Sequence, residues 1–339
     1  MKVVGHYGGG ALSAVPEEVA RLERLGFDVL ATGETRHEAT TRWTLAAHVS
    51  ERAEISTSVI IAFPRSPFVL AQMAWELQRL TGGRVSIGLG TQVKGHNERR
   101  FSTGPWEAPA RRMSEYVRMM RAVWQTFQTG ELVPFEGKYY RFTLCPPGFN
   151  NGPIDHPPPK IFLAAVRPAM TRVAGRVADG LLPHGFTTEK YVREVTLPNL
   201  EQGAREAGRD LSEIEIAGGG MMALAETEDG LEEKLLELRS RVAFYGSTRT
   251  YQRVFAVHGQ EELGQQLHEM SVTNRWDEMP NAVSLDVVRQ FAVIGTYESM
   301  AGEIKRRQGY AGRVSIGADA KTSAEEERLA DLVRQVQGI

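Results

Sequence analysis

Four side chains have the chemistry to move a proton near neutral pH and fall where strand-like runs pass into loops: His6, Glu34, His37 and His184. Imidazole titrates close to physiological pH, and a carboxylate can join it as a general acid or base when burial adjusts its pKa. Each of the four also has an ordinary structural use, and that use is the simpler reading of any one of them taken alone. Anion binding is a second kind of chemistry. Ala164-Ala165-Val166-Arg167-Pro168-Ala169-Met170 reads as a strand end, a tight loop and a helix start, and a helix N-terminus offers free N–H groups and a positive dipole end. Arg167 would add charge, while proline as a plain helix starter is the competing explanation. No His-x-His follows the first strand-like run, and no histidine pair has ligand spacing on one element, so metal-assisted chemistry is not expected. Cys145 is the only cysteine and sits in a Pro/Gly-rich stretch with no activating partner, which reads as a bystander thiol.

The elements that must position these groups alternate. Short β-branched runs bounded by Gly, Pro or Asp lie near 3–7, 29–32, 55–61, 85–90, 161–165, 180–183, 214–217 and 314–317. Longer amphipathic segments separate them, the pattern of repeated βαβ units around a parallel sheet. Pro16-Glu17-Glu18 opens the first helix and Gly26 closes it. Eight runs predict closure into a (β/α)8 TIM barrel, with residues 1–339 as one α/β domain. Three connections, roughly 91–111, 130–160 and 245–292, are too long for simple crossovers and are expected to shape the pocket. The middle one carries Pro134, Pro146, Pro147, Pro153 and Pro157-Pro158-Pro159, so it is a structured loop, with a hairpin, and not a helix. Residues 323–337 place Leu329, Leu332, Val333 and Val336 at helical spacing, a closing helix.

In the fourth run Val85, Ile87 and Leu89 alternate with Ser86, Gly88 and Gly90. One face is bulky and the other bare, and in a barrel the bare face points inward, where a flat ring could rest or where the glycines merely ease packing. Composition narrows the function classes. Hydrophobic residues at 42%, charged residues at 24% and a formal net charge of -2 describe a globular protein with a large core and without the basic footprint of nucleic-acid binding. No window of 18 apolar residues appears and a single cysteine fits a reducing compartment, so the expected location is the cytoplasm, away from membranes.

Leu80-Thr81-Gly82-Gly83-Arg84-Val85-Ser86-Ile87-Gly88-Leu89-Gly90 resembles the L-S-G-G-R-hydrophobic-x-h-G-h-G signature of luciferase-like flavin and deazaflavin enzymes, with Thr81 in place of the usual serine. The likeness extends through Gly26-Phe27-Asp28-Val29-Leu30, Pro67-Phe68-Val69-Leu70-Ala71 and Ala174-Gly175-Arg176-Val177-Ala178-Asp179-Gly180. Residues 90–101, Gly90-Thr91-Gln92-Val93-Lys94-Gly95-His96-Asn97-Glu98-Arg99-Arg100-Phe101, and Phe244-Tyr245-Gly246-Ser247-Thr248 are similar to a narrower group of probable F420-dependent oxidoreductases.

The resemblance implies a bacterial-luciferase-like barrel and an oxidoreductase that moves hydride between coenzyme F420 and a small organic substrate. FMN is the alternative cofactor, with a luciferase-like monooxygenase as the alternative activity and an inactive flavin-binding protein as a third reading. It further implies a non-prolyl cis peptide at Ser58-Val59 forming a bulge behind the ring, ring contacts from Gly90, Thr91 and Asn97, and a phosphate loop at Val166, Arg167, Pro168, Ala169 and Met170, where Arg167 stands in place of a frequent glycine. Glu34 occupies the acidic position after the second strand, but Thr35 follows where relatives carry His or Asn, and His37 could substitute. Homodimerisation is a family expectation. Tyr245, Phe255, Trp276 and Phe291 line the pocket or belong to the core, with core the simpler choice.

Overall fold

The computed structural model describes residues 1–339. Strands Lys2–His6, Val29–Thr32 and Glu54–Thr57 pair in parallel, and the strand Arg313–Ser315 pairs with the first of them. Strands Ser86–Gly90, Lys160–Ala165, Gly180–Pro183 and Glu215–Ile216 form a second parallel set, in that order. Bridges Ile55 to Val85 and Ala217 to Arg313 join the two sets. The eight strands therefore close into the barrel that the alternation predicts. Helices such as Pro67–Leu80, Pro109–Thr129 and Pro168–Val177, each opened by proline where its missing N–H costs nothing, follow the strands.

Period-2 alternation decides what fills the barrel. Val3, Leu30 and Ile55 face the helices and are fully buried there, as are Trp43, Trp75 and Trp124 at 0%, 0% and 1% exposure. Each such side chain contributes about 1.5–3 kcal/mol or more through burial alone. Inward, the strand starts hold charge instead of hydrocarbon. Lys2 Nζ lies 2.8 Å from Glu54 Oε2, Arg313 Nη1 donates to Glu54 Oε1 at 3.0 Å, and Arg313 Nε and Nη2 donate to Glu215 at 2.7 and 2.9 Å. Ser86 Oγ donates to Glu54 Oε1 at 2.6 Å, and the Arg313 guanidinium stacks over Phe162 at 4.2 Å. Both carboxylates are paired, and all three nitrogens of the Arg313 guanidinium donate to them, which is what permits ions inside a core. Burial would raise the Glu54 pKa, but the charges of Arg313 and Lys2 and the hydrogen bonds from Lys2 and Ser86 outweigh it and hold it at about 2. The N-terminal end of the barrel is thus plugged by a satisfied ion network.

The long connections differ from their reading in two ways. Residues 91–111 include a six-residue helix, Lys94–Arg99. The middle connection forms the expected hairpin, Phe135–Glu136 with Arg141–Phe142, and beyond it the chain lies along helix Pro67–Leu80. Trp75 Nε1 donates to Gly152 O at 2.9 Å and Gln78 Nε2 to Pro157 O at 2.7 Å, because proline-rich backbone leaves carbonyls that only side chains can satisfy. The last connection is no loop. Helices Glu228–Gly246, Gln252–Ala256, Glu261–Val272 and Leu285–Phe291 pack round a separate core of 19 buried residues that includes Phe255 and Phe291. It is carried on a parallel pair outside the barrel, Met221–Ala225 with Ala292–Thr296. No helix is long and apolar enough to cross a membrane.

Candidate functional site

The strand ends define the C-terminal rim, where barrel active sites sit. At the third strand the chain breaks into a bulge between Thr57 and Ile60, and the Ser58–Val59 peptide is cis. Neighbouring strands make room for it. A Cβ on Gly33 would stand 2.7 Å from Ser58 O, and one on Gly88 would stand 2.1 Å from Thr57 O. Ser58 N donates to Thr32 O at 2.7 Å and Glu34 N to Val59 O at 3.1 Å. Thr57 Oγ1 accepts from Gly88 N at 2.9 Å and donates to Gly88 O at 3.0 Å.

Of the two readings of the bare face, this geometry fits the one in which the glycines ease packing. The face does point inward, but Thr57 O and Leu182 Cδ1 fill the space at Gly88, and a Cβ at Gly90 would meet Val59 Cγ2 at 2.7 Å. The glycines accommodate the bulge. What the rim offers instead is exposed Ser58, half-buried Val59 and, beside them, half-buried Thr91.

Glu34 is bound in place. Arg65 Nη1 and Nη2 donate to its two oxygens at 2.8 Å each, and Ile61 N donates to Oε2 at 2.9 Å. A fork of this kind is a strong charge-assisted pair. With its side chain 8% exposed, Glu34 anchors the chain that follows the bulge through Ile61 and Arg65. Asn97 also departs from expectation. It is fully buried, its Nδ2 donates to Thr91 O at 2.8 Å and Val93 O at 3.1 Å, and its Oδ1 accepts from Thr103 at 3.2 Å. It shapes the loop after the fourth strand and faces no ring. Arg100 ties that loop to the one after the second strand by donating to Thr35 O at 3.0 Å. His37 is half-buried and makes no hydrogen bond, and His96 is exposed.

His6 lies on the inward side of the first strand and is open to solvent at the rim, its Nε2 3.1 Å from Ser315 Oγ on the last strand. The surrounding barrel desolvates it and lowers its pKa, so the neutral imidazole, a proton acceptor, dominates at neutral pH. His184 follows the sixth strand, and its Nδ1 accepts the Phe186 N–H at 2.9 Å. Burial, then the charge of Arg241, brings its pKa down to about 4. Val166 to Met170 connect the fifth strand to helix Pro168–Val177, and Arg167 O accepts from Met170 N at 3.0 Å and Thr171 N at 3.1 Å. The Arg167 side chain is exposed and unpaired, and its charge, after burial and Arg253, acts on the nearby Tyr191 hydroxyl. Tyr191 in turn donates to Val166 O at 2.9 Å.

Residues the sequence did not single out include Arg65, Leu182, Ser315 and Tyr251. Arg65 carried a usable signal, a basic residue shortly after a strand that could answer an acidic one on its neighbour. The others become visible only when the barrel closes.

An uncharacterised protein of Mycobacterium tuberculosis is 38% identical to this chain over 309 residues, covering 89% of this chain and 91% of that one. The 5,10-methylenetetrahydromethanopterin reductase of Methanopyrus kandleri is 24% identical over 301 residues, covering 86% and 84%. Among solved structures, the coenzyme F420-dependent tetrahydromethanopterin reductase of Methanopyrus kandleri superposes with a TM-score of 0.77 at 19% identity, covering 99% of this chain and 98% of that one. An F420-dependent secondary alcohol dehydrogenase in complex with an F420-acetone adduct gives 0.74 at 20%, covering 99% of each chain. The FMN-bound oxygenating constituent of 3,6-diketocamphane monooxygenase from Pseudomonas putida gives 0.65 at 14%, covering 99% and 98%. These likenesses establish the luciferase-like barrel fold. Residues 2–313 match the luciferase-like monooxygenase family, and with its closed parallel barrel and bulged third strand this chain belongs to that family.

Proposed function

We propose that this protein is an F420-dependent oxidoreductase that exchanges hydride between the deazaflavin and a small organic substrate. One observation carries the reading. Adjacent strands three, four and five bring a hydrogen-bonded bulge, an accessible strand end and an unneutralised arginine at a helix start to the same rim. A planar ring with an anionic tail needs those three things, a fixed wall, open space and a cationic anchor. Ser58, Val59 and Thr91 would flank the ring, and the Val166–Met170 loop with Arg167 would take the phosphate. F420 supplies hydride exchange at C5 of its deazaflavin ring. The chain supplies the rest: Glu34 and Arg65 hold the bulge, the ion network closes the far end, and neutral His6 accepts or passes a proton at Nε2. Reductases and dehydrogenases among the relatives, several of them named for F420, support this choice.

The second reading is an FMN-dependent monooxygenase, supported by the family match and by the FMN-bound structural neighbour. Titrating the purified protein with oxidised F420 and, separately, with FMN, followed by absorbance and fluorescence, separates the two. Saturable F420 binding without FMN binding is the expected result. FMN binding with oxygen uptake by the reduced flavin would overturn the proposal in favour of the monooxygenase, and stoichiometric F420 binding with no turnover on any substrate would overturn the catalytic part.

A further inference from the structure

Leu182 points into the barrel, where its Cδ1 meets the inner face of Gly88. Two residues on, period-2 alternation puts His184 on the same side, one layer higher, at the rim. The helical insertion reaches over to meet it. Tyr251 stacks on the imidazole with ring centres 4.7 Å apart and planes at 20°, and Tyr245 meets it edge-on at 4.8 Å and 81°. All three side chains keep accessible surface.

Counting hydrogens in this cluster leaves one over. Nδ1 of His184 accepts the Phe186 N–H at 2.9 Å, so the neutral ring carries its proton on Nε2. That N–H has one neighbour, Tyr251 Oη, at 3.5 Å, the outer limit of a hydrogen bond. Burial, then Tyr245, pushes the Tyr251 pKa up to about 12, so the phenol keeps its own hydrogen, for which no acceptor is present. The two groups can make only one hydrogen bond with each other, and a long one, so this pair has a donor to spare and no acceptor oxygen beside it. Arg241 stands close enough to shift His184 and pairs with no carboxylate, so the local potential is positive. Around this polar point the surfaces are aromatic, and Tyr245 continues outward to Phe244 at 5.3 Å and Trp276 beyond it, which are 53% and 43% exposed.

We propose that His184 Nε2–H and Tyr251 O–H form a substrate subsite that binds the carbonyl oxygen of an apolar ketone, with Tyr245 flanking the hydrocarbon part. The subsite rests on the oxidoreductase reading above, because a ketone held there is the electron acceptor that reading lacks. It gives the insertion a function: its tyrosines choose the substrate while the barrel holds the cofactor.

The test is calorimetric titration of the full-length protein with acetophenone and with cumene, which replaces the carbonyl by a branched hydrocarbon. Wild type is expected to prefer acetophenone. Tyr251→Phe, which removes one oxygen and little volume, and His184→Phe should each weaken acetophenone binding roughly three- to tenfold, the net worth of a hydrogen bond, while cumene binding stays within about twofold. Equal acetophenone affinity in wild type and Tyr251→Phe, or no preference over cumene in wild type, overturns the subsite. The F420 titration run beside it keeps the two ideas apart. F420 binding without ketone preference removes the subsite alone, and ketone preference without F420 binding upholds the subsite and removes the cofactor assignment.

Discussion

Replacing Glu54 by glutamine takes one negative charge out of the ion network at the closed end of the barrel and changes almost no volume. Glu54 is 16% exposed, and its pKa falls from an ordinary 4.5 to about 2. At about 1.4 kcal/mol per pKa unit this depression corresponds to about 3 kcal/mol of folded-state stabilisation at neutral pH. Removing one partner of a buried pair typically costs about 3–5 kcal/mol, since Arg313 would keep only Glu215. Glu54→Gln should therefore lose about 3 kcal/mol in urea unfolding at pH 7. The pH dependence fixes the cause. A carboxylate whose pKa is lower in the folded protein stabilises fully above its unfolded value of 4.5 and loses that contribution as pH falls toward about 2. The gap between wild type and variant should consequently shrink between pH 5 and pH 3, as wild type weakens and the variant, at this site, does not. A loss under about 1 kcal/mol at pH 7, or a gap that stays constant down to pH 3, would refute the claim that this charge is held by its neighbours. F420 affinity should be unchanged, because the network lies at the opposite end from the rim.

Gly88→Ala would drive a methyl group against Thr57 O and Leu182. The expected cost is about 1–3 kcal/mol in thermal unfolding together with weakened F420 binding, and a normal melt would show the bulge to be less tightly walled than the distances say. Arg167→Ala should reduce F420 affinity about tenfold and flatten its dependence on salt, as loss of a charge-assisted contact does; an unaltered salt slope would place the anion elsewhere. On the proposed function, His6, whose pKa is lowered by desolvation, would act as a base when neutral. Activity should fall as pH drops below 6.5, and His6→Gln should abolish that acid limb in a kcat/KM profile; a retained limb would assign it to another group.

The barrel strands are legible in the sequence because seven of the eight runs carry β-branched residues and the other, Gly180-Leu181-Leu182-Pro183, is apolar between Gly and Pro, so local chemistry suffices to mark them. The bulge position follows from family likeness. The parallel pair outside the barrel was not legible: Met221-Met222-Ala223-Leu224-Ala225 has no β-branched residue, and its partner lies some seventy residues away, continuous with a helix. The ion network was hidden for a similar reason. Lys2, Glu54 and Arg313 each look like a polar residue at a turn, and only barrel closure, across 259 residues for the last two, makes them neighbours. Asn97 shows the limit of analogy at a site. A residue type can match its position while both of its N–H donors and its side-chain oxygen are engaged within its own loop. Tyr251 had no local signature, since its meaning comes from a histidine 67 residues earlier.

The paired strands Met221–Ala225 and Ala292–Thr296 place the two ends of the helical insertion on a single two-stranded ribbon, about 14 Å apart. Most of the second core lies between those ends, so the insertion behaves as a cassette whose only borrowed core residues, beyond the ribbon itself, are Phe186 and Tyr191 of the barrel rim. A different helical segment whose ends meet the same ribbon could be grafted there with little loop-closure entropy, provided it covers Phe186 and Tyr191 again. Such an exchange would leave the barrel strands and the ion network at their far end untouched.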